Sequence, residues 1–259
     1  MPFRLLKTGE IDQPRGVLLT GQPNSGKTAS LVTFLNTYPD KKAAYISYPN
    51  EQGSSSFPAD HPNVLVRAVY EDTEAGAKVN YNALWNEIET LTADIIVGKH
   101  GKIELFFGDG LHKAHQVALG KVTGGLSAVT LDFDAKLYAD ASKLFLKHIH
   151  MIQRAPSIFL PVFTVWEGRE KDNPDAKKAG GVDPPRHIYP ELPGQLAKLI
   201  LGEFGVVLYA TKQGPAYKWQ TKPLGDVWGC GIKLPIAASS AIETFVPQDW
   251  ALLAKKVGM

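Results

Sequence analysis

Gly21-Gln22-Pro23-Asn24-Ser25-Gly26-Lys27-Thr28 matches the pattern G-x-x-x-x-G-K-[ST] without a substitution, between an apolar run and a helical one. Gly16-Val17-Leu18-Leu19-Thr20 before it suits a buried strand, and Ala29-Ser30-Leu31-Val32-Thr33-Phe34-Leu35 after it places one apolar face on a helix. By residue frequencies the bare pattern arises by chance in roughly one chain in a hundred of this length, and the flanks make chance a weaker explanation still. Glycines let successive backbone N–H groups turn toward one point, and the start of the helix adds partial positive charge, so the stretch suits a polyphosphate. Lys27 would bring a full positive charge, and Thr28 a hydroxyl for a magnesium ion bridging the outer phosphates. The expected nucleotide-binding set is Gly21, Gln22, Pro23, Asn24, Ser25, Gly26, Lys27, Thr28 and Ala29.

A catalytic site of this kind needs a second carboxylate-bearing strand. Ile103-Glu104-Leu105-Phe106-Phe107-Gly108-Asp109 is a mostly apolar run that ends in Asp, which would hold the metal from the side opposite Thr28. Asp132 and Asp134 are the alternatives, although Asp134 starts a helical pattern and suits a cap. Ala43-Ala44-Tyr45-Ile46-Ser47 reads as another strand, followed by Tyr48-Pro49-Asn50-Glu51. Glu51 could orient or activate the water that attacks the terminal phosphate, or serve only as a solvated loop carboxylate.

The rest of the chain fits an alternating α/β pattern. Asn63 to Val69 reads as a strand, and Leu84, Trp85, Ile88, Leu91 and Ile95 form the buried stripe of a helix from about Tyr81 to Val97. Gly110 to Gly125 mixes basic and small residues and is expected to be a mobile substrate loop; His112 and His115 lack the spacing and partners of a metal site. A long helix is expected from about Phe133 to Arg154, then a strand from Ser157 to Trp166 in which Pro161 implies a bulge or an edge. Thr164, Trp166 or Glu167 at its end could report the state of the terminal phosphate. Gly168 to His187 is polar, rich in Gly and Pro, and nearly balanced in charge, as expected of a long surface or functional loop. A short helix near Gln195 to Leu201, a hairpin around Gly214-Pro215 and a short amphipathic tail helix from Pro247 to Val257 complete the pattern. Lys212, Lys218 or Lys222 on the hairpin could reach a neighbouring subunit's nucleotide.

Composition excludes several classes. With 44% hydrophobic and 21% charged residues the chain is not disordered, and 259 residues suffice for one large α/β domain, with a core of about 16–221 and an extension of 222–259. A net charge of +2 gives no general attraction to nucleic acid, so any such site must be local. The single cysteine, Cys230, rules out an intrachain disulfide and a cysteine-based zinc site. No stretch approaches the length needed to span a bilayer, so a soluble cytoplasmic protein is expected.

The phosphate loop Gly21 to Thr28, Glu51, the strand ending at Asp109, the strand into Trp166-Glu167, the polar loop, Tyr189-Pro190-Glu191-Leu192-Pro193-Gly194 and the closing hairpin together resemble the RecA-like ATPases common in bacteriophages, some of which anneal single strands in recombination. The resemblance covers roughly Gly16 to Thr221, and only the phosphate loop is specific by itself. It implies an α/β fold, a RecA-like P-loop NTPase core with a mostly parallel central sheet flanked by helices and a C-terminal β-hairpin. It implies ATP and Mg²⁺ as ligands, with Lys27, Glu51 and Asp109 catalytic and Thr28 and Asp109 at the metal. It further implies single-stranded DNA at His112 to Gly125 and Arg169 to His187, a homo-oligomer, a single-strand-binding protein as partner, no membrane, and the host cytoplasm if the source is a phage. One departure stands out: Thr164-Val165-Trp166-Glu167 has no Gln or His where the family often carries a polar sensor. The competing expectations are a nucleotide-gated accessory protein with slow turnover, and a kinase for a small phosphate acceptor.

Overall fold

The computed structural model describes residues 16–49, 61–69, 79–125, 135–169, 187–225, 227, 229–232 and 242–257. Glu51, Asp132, Asp134 and most of the 168–187 loop lie outside them. The phosphate-loop strand β1 (Val17–Gly21) leads to α1 (Lys27–Thr37), then β2 (Ala43–Ser47), β3 (Val64–Ala68), α2 (Tyr81–Ile96) and β4 (Leu105–Asp109). Next come α3 (Leu111–Thr123), α4 (Ala135–Gln153), β5 (Leu160–Arg169) and β6 (Ile188–Pro190). The chain closes with α5 (Leu196–Leu199), a 3₁₀ turn (Ile200–Glu203), β7 (Val206–Gln213), β8 (Ala216–Gln220), β9 (Gly231–Ile232), β10 (Phe245–Pro247) and α6 (Trp250–Val257).

The sheet runs β10-β8-β7-β1-β5-β4-β2-β3, with β6 on β5 and β9 on β7. Pairings from β7 through β3 are parallel, while β8 pairs antiparallel with both β7 and β10. Alternate residues of a strand face opposite sides, and here both sides are covered, which accounts for near-continuous apolar strands. Leu18, Ile46, Phe106 and Phe163 pack on one face with Trp85, Val117 and Phe145 of α2, α3 and α4. Val17, Leu19, Tyr45 and Phe107 pack on the other with Phe34 of α1 and Trp250 of α6. The result is a mostly parallel sheet between helical layers, as expected, and the hairpin and tail helix form where the sequence placed them.

Two expectations are corrected. Residues 111–123 are not a mobile loop but α3, with His112 and His115 only 3% and 2% exposed. The helix touches α2, α4 and β5 and buries eight of its thirteen residues, His112 and His115 among them, so its polar stripe is too narrow to betray its period. Pro161 marks neither bulge nor edge: β5 is central, between β1 and β4. Pro161 is its second residue, and pairing with β1 begins one residue later at Val17 and Val162, so the missing N–H falls where the strand is only starting.

Candidate active site

The phosphate loop keeps its shape because its backbone goes where side chains cannot. Gly26 has φ +86°, and a Cβ there would lie 2.6 Å from Oε1 of Gln248 and 2.9 Å from the ring of Tyr217. Gly21, at φ +146°, would bring a Cβ to 2.4 Å from the carbonyl oxygen of Ala210. The loop is thus pressed against β7, β8 and the segment after β10. Gln248 braces it, its Nε2 donating to the carbonyls of Ser25 at 2.9 Å and Lys218 at 3.2 Å. Trp250 braces the following turn, its Nε1 donating to the carbonyl of Ser30 at 2.9 Å while its ring lies edge-on to Phe34 and Trp219. Neither residue is visible as functional in the sequence, because the contacts span 220 residues or more.

Lys27 is 7% exposed and folds back over the loop, its Nζ donating to the carbonyls of Gly21 at 2.8 Å and Gln22 at 2.7 Å. Phosphate oxygens would compete for that same ammonium. Thr28 Oγ1 donates to Asp109 Oδ2 at 3.0 Å, so the loop crosses β5 and meets the end of β4. The sequence expectation paired these two residues, and the structure brings them into contact.

Asp109, 2% exposed, also accepts hydrogen bonds from the hydroxyls of Tyr45 and Thr164. Thr164 Oγ1 in turn accepts the N–H of Gly110 at 3.0 Å. Hydroxyls satisfy the carboxylate without neutralising it, which leaves a hard anionic oxygen beside a second oxygen donor. Such a donor pair fits Mg²⁺, which binds few protein oxygens and keeps waters and substrate phosphates as its other ligands. In the sequence Tyr45 reads as a strand residue and Thr164 as a possible reporter of the terminal phosphate, and nothing local marks either as a support for Asp109.

The end of β5 lies between the loop and the contact of Thr28 with Asp109. Gly21 pairs with Trp166, and one residue on, Glu167 accepts the Gln22 amide at 3.0 Å and the hydroxyl of Tyr209. Trp166 stacks on His112, with ring centroids 4.6 Å apart, and Lys113 Nζ stands 5.7 Å from the Trp166 ring centre. Burial, with the charges of Lys113 and Lys27 adding to it, pushes His112 down to about 3, so the ring stays neutral beside the loop. Deeper in, Tyr48 OH and His148 Nε2 are 2.8 Å apart, and burial lowers His148 to about 4 and raises Tyr48. Lys212 stacks over Tyr217 at 5.3 Å on the hairpin; Lys218 and Lys222 meet partners there through their carbonyls. Glu51 belongs to the undescribed 50–60 segment, so the proposed water-activating residue has no position here.

No protein-family model matches the sequence, and no curated protein matches it. Solved structures do match. One is a prototypical ATPase from the type III secretion system of pathogenic bacteria, at TM-score 0.50 and 11% identity over 77% of this chain and 52% of that one. Another is the assembled ATPase EscN from the enteropathogenic E. coli type III secretion system, at TM-score 0.47 and 12% identity over 76% and 43%. This chain spans about half the length of the first of these. At such identity the likeness to the first speaks for the fold alone, a mostly parallel α/β sheet flanked by helices.

Proposed function

We infer that the chain binds ATP with Mg²⁺ and hydrolyses it by attack of water on the γ-phosphate. The observation that carries this reading is the contact of Thr28 with Asp109 beside Lys27, because it puts a metal donor pair at the phosphate loop. Bound there, Mg²⁺ would draw charge from the outer phosphates as the bond to the leaving oxygen breaks. Lys27 leaves its two carbonyls to hold phosphate oxygens, the amides of Gly21 to Ala29 cradle them, and Tyr45 and Thr164 keep Asp109 aimed. Positioning and charge neutralisation by groups already in place supply most of the rate. Glu51, which lies outside the described residues, is the sequence's candidate for orienting water.

The biological reading is a phage-type ATPase that acts on single-stranded DNA in recombination or annealing, as a homo-oligomer and alongside a single-strand-binding protein. It draws on the resemblance in motif order. Of the two expected DNA-contacting regions, the first is the packed helix α3, so binding falls to the segment from Arg169 to His187. Titration of a labelled single strand, read by fluorescence anisotropy at low and moderate salt, tests it: salt-sensitive binding supports the reading, and none at low salt rejects it. In the second reading, a nucleotide-gated accessory protein, ATP drives association with another protein and DNA changes nothing. Among the described residues no helix is long and apolar enough to cross a membrane.

A further inference from the structure

We propose that Glu167 is a catalytic residue of this site, the acceptor for the attacking water, approaching the γ-phosphate from the β5 side. The inference rests on the ATPase reading above and goes beyond it in naming a carboxylate that none of the expected catalytic residues includes.

Three observations carry it. β5 is interposed between β1, which bears the phosphate loop, and β4, which bears Asp109, yet Thr28 reaches across it to Asp109. Polyphosphate and metal held by that loop and that pair therefore sit over the carboxyl end of β5. Second, the register brings Glu167 to the start of the loop: Gly21 pairs with Trp166, and Glu167 follows. Third, Glu167 is positioned from two elements, by Gln22 Nε2 of the loop at 3.0 Å and by the hydroxyl of Tyr209 on β7, which pairs with Thr20. Tyr209 is 8% exposed, so the hydroxyl on which the carboxylate rests belongs to the packed sheet and holds its place.

The chemistry follows from charge. An acceptor-only carboxylate repels an anionic phosphate and cannot bond it directly, so the group between them must donate hydrogen to Glu167. Water in line with the γ-phosphorus does so. Its oxygen forms the new bond to phosphorus, the bond from phosphorus to the β–γ bridging oxygen breaks with its electron pair leaving on ADP, and the water's proton passes to Glu167 and on to solvent. The Gln22 amide keeps one oxygen of the acid tied to the loop, which couples its position to loop occupancy. A carboxylate stands here at the strand end where the RecA-like family often carries a Gln or His, and as an acceptor-only group it can take the hydrogen bond of a water.

The experiment uses the full chain, measuring ATP turnover and, separately, affinity for MgATP by a non-hydrolysable analogue. Glu167→Gln is expected to lower kcat by roughly 10² to 10⁴-fold, the usual worth of a general base, with analogue affinity within threefold of wild type. Glu167→Asp, a carboxylate set back by one methylene, should retain more turnover than Glu167→Gln. Tyr209→Phe, which frees the carboxylate from β7, should lower kcat with little change in KM. Turnover of Glu167→Gln within threefold of wild type overturns the proposal, and so does a parallel loss of analogue affinity, which would make Glu167 a brace of the loop. Failure of the ATPase reading looks different: no Mg-dependent turnover in the wild type itself.

Discussion

Thr28 and Asp109 are 81 residues apart in the chain, and their side chains meet at 3.0 Å at the junction of α1 and β4. Asp109→Asn keeps the shape and one of the two acceptor oxygens, with the amide NH₂ donating to a hydroxyl that turns to accept, while removing the charge that a divalent cation needs. Turnover should fall by at least about 10²-fold, and the Mg²⁺ concentration for half-maximal rate should rise. A Mg²⁺ titration of the ATPase rate checks both.

Thr164 is the hinge of Asp109's support, donating to its carboxylate and accepting from the N–H of Gly110. Thr164→Val keeps the shape and removes both bonds, leaving a buried N–H and a carboxylate oxygen short of partners. We expect a loss of about 1–3 kcal/mol in stability, read from urea midpoints, together with weaker Mg²⁺ dependence.

Acid should unfold the protein early. Burial lowers His112 to about 3 and both His115 and His148 to about 4, against an ordinary value near 6.5. Between those limits the unfolded chain holds protons that the folded chain refuses, so stability is intact above about pH 6.5 and falls as pH drops toward 4. Each histidine contributes a slope of up to about 1.4 kcal/mol per pH unit in that window. His115, packed edge-on to Phe145, is the one to remove: His115→Phe should flatten the pH dependence measured by urea unfolding at pH 7 and pH 5.

Gly120 of α3 lies against the Tyr81 ring of α2. A Cβ there would stand 2.3 Å from Cγ of Tyr81, a distance at which the ring must move. Gly120→Ala gains about 1 kcal/mol of helix propensity and loses more through crowding, for a net loss of about 1–2 kcal/mol. In the Tyr81→Ala background the same change should be neutral or stabilising, and a double-mutant cycle reads the coupling.

What the sequence disclosed was local. The loop from Gly21 to Thr28 and the apolar run into Asp109 each carry their signal within ten residues, so strand, loop, helix and the pairing of Thr28 with Asp109 were legible. α3 was not, because Leu111, His112, Ala114, His115, Val117 and Ala118 are all buried and the polar stripe that is left is too narrow to reveal its period. Nor were Tyr45 and Thr164 at Asp109, Tyr209 at Glu167, or Gln248 and Trp250 at the loop. Thr164 is marked locally only as a possible reporter of the terminal phosphate and the others carry no local mark of function, so only the fold brings each to its partner.

The most direct test is ATP turnover by the full chain with and without Mg²⁺, beside Lys27→Ala. Lys27 is the one full positive charge built into the loop, and the account predicts Mg-dependent release of ADP and phosphate in the wild type and loss of turnover in the variant. Equal turnover in the two proteins would contradict it.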